Sequence, residues 1–120
     1  MPQRESPRTR RVADRIVEEL AECLASKTED PRLRKLSVTG ARVSRDLSAA
    51  RVWVSGTIKA EEEPSVLKAL AHATPFLRSY LAPRLGLRIV PTLAFQIDKS
   101  IETGTRIEQL LRDLDRPEGE

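Results

Sequence analysis

Apolar residues between positions 12 and 24 recur at helical spacing. Val12, Ile16, Leu20 and Leu24, flanked by Ala13, Val17 and Cys23, form one stripe, while Arg11, Arg15, Glu18, Glu19 and Glu22 lie elsewhere around the same helix. Ser6 or Thr9 can cap its start, with Pro7 tolerated in the first turn. Asp30-Pro31-Arg32 then stops the helix and turns the chain, because a residue before proline is disfavoured in helical conformation. The period next changes to two, which predicts a strand over residues 35–44. Leu36 and Val38 share one parity and Ala41 and Val43 the other, so a one-residue shift at Gly40 predicts a bulge. Arg45-Asp46-Leu47-Ser48 connects to a second strand over residues 49–58. There Ala50, Val52, Val54 and Ile58 face one way, and Arg51, Trp53, Ser55 and Thr57 the other.

Glu61-Glu62-Glu63-Pro64-Ser65 has the acids and proline of a helix start, and Val66, Leu67, Leu70 and Ala71 give that helix a buried face. Thr74-Pro75 interrupts the pattern. A second helix restarts with Phe76, Leu77, Tyr80 and Leu81 and ends near residues 83–86. A last strand spans residues 85–98: Leu87, Ile89, Leu93, Phe95 and Ile97 are apolar at odd positions, and Arg88, Thr92, Gln96 and Asp98 polar at even ones. Pro91 has no amide hydrogen and is expected at a bulge or an unpaired edge. Ile101, Ile107, Leu110, Leu111 and Leu114 suggest a terminal helix from about Thr105. The expected organisation is a flexible lead (1–6), one domain (7–100), and a C-terminal helix with a loose tail (101–120). The element order is helix, strand, strand, helix, helix, strand.

A chain of 120 residues suits one domain, burying roughly 65% of its unfolded surface without staples. The single cysteine, Cys23, rules out an intrachain disulfide and a cysteine-rich metal site; beside Leu20 and Leu24 it reads as a buried, inert thiol. No apolar run approaches the ~20 residues of a membrane span, and no signal-peptide core is visible, so a cytoplasmic location is expected. Net charge is +3, unevenly spread. Arg4, Arg8, Arg10, Arg11 and Arg15 crowd the first 15 residues against Glu5 and Asp14, while the last 13 hold five acids against Arg112 and Arg116. A basic head of this kind suits a polyanion such as nucleic acid. Of 21 basic residues 16 are arginine, the side chain best suited to phosphate and base stacking, although codon bias produces the same excess.

An ordered set of short matches makes the chain resemble the bacterial ribosome-binding factor A family from about Arg8 to Leu114. The set begins with Arg10-Arg11-Val12-Ala13 and Ile16, then Asp30-Pro31-Arg32-Leu33. It continues with Val43-Ser44-Arg45-Asp46-Leu47-Ser48-Ala49-Ala50 leading into Val52-Trp53-Val54-Ser55, and with Phe76-Leu77-Arg78. The run from Leu87 to Phe95, Asp98-Lys99-Ser100 and Gly104-Thr105-Arg106-Ile107 complete it. The resemblance implies an α+β, type II KH-like domain of order α-β-β-α-α-β. Its three-stranded mixed sheet would be covered by helices on one face, with a C-terminal helical tail. It implies a non-catalytic factor that binds free or immature small ribosomal subunits and assists late maturation of their RNA. The family is associated with cold adaptation and with release by a ribosome-biogenesis GTPase; a monomer without cofactor is expected. Family members carry an Ala-x-Gly interhelical kink where this chain has Ala73-Thr74-Pro75, so one potential phosphate-binding amide is lost while those of Phe76 and Leu77 are expected to remain at the helix start.

The candidate RNA contacts begin with Arg8, Arg10, Arg11 and Arg15. Positions 8, 11 and 15 share a helix face, although a solvated surface reads the same way. Arg78 is placed to approach the same phosphate as the kink amides, Arg45 lies in the hairpin connection, and Arg84, Arg88, Lys99 and Arg106 can extend the basic surface. Asp46 is explained by local turn chemistry. Arg51 and Trp53 point away from the apolar face; packing beneath a terminal segment is the ordinary role for Trp53 and a stacking platform the functional one. An enzyme is not indicated. His72, the only histidine, adjoins an apolar helix face, where a partly buried structural role is expected. No nucleophile triad, Gly-rich phosphate loop or metal-ligand cluster is present, and Glu61, Glu62 and Glu63 sit in a solvated turn. A protein-only adaptor, or a KH-type RNA-binding module not dedicated to the ribosome, is the alternative.

Overall fold

The structure is a computed structural model that describes residues 6–99. Its elements run α1 (Pro7–Ser26), α2 (Pro31–Arg34), β1 (Ser37–Val43), β2 (Ala49–Ser55), a 3-10 turn (Ala60–Glu62), α3 (Glu63–Leu85) and β3 (Thr92–Ile97). The terminal helix expected from Thr105, and the tail at 101–120, lie outside the described residues.

Both proposed caps of α1 take part in one device. The Ser6 hydroxyl accepts from the Thr9 amide at 3.1 Å, and the Thr9 hydroxyl accepts from the Ser6 amide at 2.9 Å, which satisfies two otherwise orphaned donors. Ser6 is thereby tied to the first turn of α1. Ala13, Ile16, Leu20, Cys23 and Leu24 are buried along the expected stripe, with Val12 and Val17 half-buried. Where a simple turn was expected at residues 30–32, Asp30 instead caps the short helix α2, accepting the Arg32 amide at 2.9 Å, and Leu33 drops into the core.

The sheet order is β1-β2-β3, with β1 antiparallel and β3 parallel to β2. The shift foreseen at Gly40 is present: Val38 opposes Val54 and Gly40 opposes Trp53, which leaves Thr39 as the extra residue. One face carries Val38, Ala41 and Val43, then Ala50, Val52 and Val54, then Leu93, Phe95 and Ile97. These pack with the α1 stripe and with Val66, Leu70, Leu77 and Leu81 of α3 into a single core. The domain is thus an α+β, KH-like fold whose described helices cover one sheet face.

Several expectations need correction. The two strands are shorter than expected, Ser37–Val43 rather than 35–44 and Ala49–Ser55 rather than 49–58. The pair of helices is one continuous helix with Pro75 and Pro83 inside it. The carbonyls deprived of a donor, those of Ala71 and Ser79, belong to exposed residues, as do both prolines. All four lie four residues apart on the solvated side, where water can satisfy what proline leaves open. Ala71 and Phe76 accordingly face solvent instead of the core, Phe76 at 48% exposure.

α3 ends at Leu85, within the expected range, but the last strand begins only at Thr92 and not near residue 85. Gly86 ends the helix in the left-handed conformation, φ 64°, which only glycine adopts without strain. Residues 87–91 form a connection in which Ile89 is 72% exposed. Pro91 is fully buried ahead of the strand, not at a bulge or an edge.

Candidate nucleic-acid interface

Arg8, Arg10, Arg11 and Arg15 project from the first half of α1, all exposed and off the buried stripe. Arg8 and Arg11 make no ion pair among the described residues. Arg15 lies 3.6 Å from Glu18 and 3.3 Å from Glu19. Both pairs are solvated enough to contribute at most about 1 kcal/mol, yet they neutralise part of the charge this arginine offers a phosphate. Glu19 also meets Arg84 at 3.4 Å, tying α1 to α3. The Arg84 guanidinium lies over the Tyr80 ring, 3.6 Å from its centroid, and donates to the Tyr80 carbonyl at 2.8 Å. Arg84 is therefore anchored on its own helix.

Arg78 is committed differently from what its sequence position suggests. Its Nη2 donates to the Val90 carbonyl at 2.7 Å and its Nε to the Pro91 carbonyl at 3.1 Å, part-buried. The side chain clamps the connection between α3 and β3, and those donors are turned toward the protein backbone. In a continuous α3 the amides of Phe76 and Leu77 bond to carbonyls one turn back. The kink residues Ala73, Thr74 and Pro75 thus form no open helix start, and Thr74 donates its hydroxyl to the Leu70 carbonyl at 2.8 Å.

Arg45 is exposed in the β1–β2 connection. The turn is organised by Asp46, whose carboxylate accepts from the Ser48 hydroxyl at 2.7 Å, the Ser44 hydroxyl at 2.8 Å and the Ser48 amide at 3.1 Å. Those donors, the Ser48 hydroxyl first, hold the carboxyl below its ordinary range. Leu47 takes a positive φ of 63°, unusual for its type, while its side chain is buried. Burial of a leucine, about 1.5–3 kcal/mol, offsets the roughly 1–2 kcal/mol of that conformation. Arg45 is thereby presented on a rigid turn rather than a loose loop.

Arg88 is exposed in the connection before β3. Lys99 pairs with Glu63 at 3.0 Å, and Arg106 lies outside the described residues. Neighbouring contacts link several of these positions: the hairpin turn adjoins the start of β3, the Ser48 carbonyl accepting from the Thr92 amide at 3.0 Å, and Arg15 and Arg84 share Glu19. Sequence reasoning also misjudged His72, which is exposed. It lines an open, largely apolar groove of about 590 Å³ between the end of α1, α2 and α3, with Lys27, Lys68, Leu33, Ala73 and Phe76. Nothing in a linear pattern announces that groove, because its walls come from three elements. Cys23 is buried as expected, and burial pushes its thiol up, away from the reactive thiolate. Among the described residues no helix is long and apolar enough to cross a membrane.

Known proteins place this geometry. The family model for ribosome-binding factor A matches residues 8–111. The ribosome-binding factor A of Staphylococcus carnosus is 38% identical over 107 residues, covering 89% of this chain and 93% of that protein. The crystal structure of ribosome-binding factor A from Thermus thermophilus superposes with a TM-score of 0.66 at 32% identity, over 74% of this chain and 93% of that one. A homology model of the same Thermus factor, fitted into the cryo-electron microscopy map of a complex with the 30S subunit, gives 0.60 at 33% identity, over 72% and 91%. With the matched residues spanning most of its length, and the solved fold shared, the chain belongs to the ribosome-binding factor A family.

Proposed function

We propose that this protein binds free or immature small ribosomal subunits and assists the late maturation of their RNA, acting by binding and not by covalent chemistry. The observation that carries the reading is the likeness to the Thermus factor fitted into a 30S complex, on a fold that holds the α1 arginines clear of the core. We assign the primary contact to the exposed face bearing Arg8, Arg11 and Arg15, with Arg10 beside it, and place Arg45 and Arg88 as outlying contacts. Arg78, Arg84 and Lys99 have partners within the domain and act first as supports. Family kinship further supports a cytoplasmic monomer released from the subunit by a ribosome-biogenesis GTPase.

Sedimentation tests the reading: the protein should travel with purified free small subunits and leave them as salt rises, because phosphate contacts release counterions. Co-migration with translating ribosomes alone would overturn it. The apolar groove beside Phe76 favours a second reading, an adaptor that docks proteins; salt-independent association, with no affinity for the RNA itself, would select it.

A further inference from the structure

The described chain leaves the sheet beside Trp53. Trp53, Leu67 and Ile97 line a hollow of about 460 Å³ at the C-terminal end of β2 and β3, together with Glu63, Asp98 and Lys99. The charged members have partners: Lys99 meets Glu63 at 3.0 Å, and Asp98 accepts from the Thr39 hydroxyl at 2.6 Å. Trp53 itself is half-buried on the sheet face turned away from the helices, between Gly40 of β1 and Gln96 of β3. A Cβ at Gly40 would meet nothing within 4 Å, so the β1 side of the indole lies without a covering side chain. Further along the same face Arg51 stands between Arg42 and Ala94, all three exposed. Like charges opposed across antiparallel strands destabilise a sheet unless acids lie beside them. From the end where the chain leaves, this face is therefore acidic, then aromatic, then basic.

Beyond Lys99 the sequence supplies a segment of matching pattern. Ile107, Leu110, Leu111 and Leu114 recur at helical spacing. Wound as a helix, this stretch carries Arg106 and Asp113 on one flank of the apolar stripe, Glu108 and Asp115 on the other, and Gln109 and Arg112 opposite it. We infer that residues 105–115 fold back over the outer sheet face as a helix, laying the apolar stripe on Trp53. The seven residues 100–106 can span up to roughly 23–25 Å, ample for a reversal, and Gly104 among them accepts any turn. A helix running back along β3 meets the charges in the right order. Arg106 falls at the end holding Asp98 and Glu63. Asp113 lies about 10.5 Å further along the helix axis; Arg51, level with Ala94, lies about 13 Å from Asp98 along the strand. The contact closes this face to outside partners and leaves the α1 arginines, on the helical side of the domain, untouched.

Trp53 is the only tryptophan, so its emission reports the contact. In the full chain, Leu110→Ser with Leu111→Ser should shift that emission to the red and make it more accessible to acrylamide, while the amide signals of Ile16 and Leu20 in the core stay in place. A nitroxide attached through Gln109→Cys locates the segment, since the native Cys23 is buried and escapes brief labelling. It should broaden the amide signals of Arg51, Trp53 and Ala94 and spare those of Ala69 and Phe76 in the groove on the far side of α3. Adding the two serine substitutions should remove the broadening. Trp53 emission indifferent to the double variant would overturn the inference, as would broadening in the groove instead of the sheet. So would a contact that fades on dilution, which would join two copies of the chain. Sedimentation with small subunits tests the proposed function separately, because it does not depend on where this segment lies.

Discussion

Arg78 shows how a side chain that reads as a ligand contact can be a structural tie. Two charge-assisted hydrogen bonds hold the carbonyls of Val90 and Pro91 where the chain turns into β3. Arg78→Met keeps the length of the side chain and removes both bonds. It should lower stability by about 2–3 kcal/mol in a urea titration, because two part-buried carbonyls lose their donor; a loss under ~0.5 kcal/mol would return Arg78 to the free surface cations. The sequence could not disclose this role, since backbone carbonyls have no residue-type signature and these lie 12 and 13 positions away. Asp46 was legible for the opposite reason: every group it binds is within two residues, and the turn chemistry of aspartate is local. Ser6, Thr9 and Cys23 were readable on the same footing.

Among the elements, α1 and the hairpin follow their patterns closely, down to the irregularity near Gly40. The errors gather in α3 and the segment after it. Two prolines suggested a break, but a helix tolerates proline when the deprived carbonyls face water, and that depends on which side the core lies. The helix ends at Leu85, within the expected 83–86, but the alternation of Leu87, Arg88 and Ile89 imitates a strand that these residues do not join. Pro75→Ala tests this account. With the helix already continuous, alanine restores one hydrogen bond and better propensity, and stability should rise by about 1–3 kcal/mol while affinity for small subunits stays within twofold. Unchanged stability with a clear loss of affinity would instead make the proline a functional bend.

The arrangement of the sheet lies beyond any periodicity: parity identifies which residues face the helices, but not that β2 is central or that β3 runs parallel to it. That knowledge came with the family resemblance, which the fold bears out. The same distinction applies to the basic surface, where composition located an arginine-rich head yet could not say which of its members are engaged. Replacing Arg8, Arg11 and Arg15 with glutamine should flatten the slope of log affinity against log salt by roughly 2–3 units, toward the low end because Arg15 is already held near two carboxylates. Thermal unfolding should be nearly unchanged, since all three side chains are exposed. An unaltered slope in a folded variant would move the main contact away from α1.

The central position of β2 also governs the order of events by which the chain finds its shape. β1 meets β2 across a short turn, a local and rapid closure, whereas β3 reaches the other edge of β2 only after residues 56–91 have been gathered in. Closing that longer excursion loses more chain entropy before any ladder bond forms. The hairpin with α1 should therefore be structured at the folding barrier and β3 added after it. Chevron analysis can see the asymmetry. Val52→Ala should chiefly slow refolding, while Ile97→Ala should chiefly hasten unfolding, with a φ-value below about 0.3. A transient state with its last strand undocked would expose the edge of β2, and a cell that folds this protein in the cold, where closure is slower, would keep that edge open for longer.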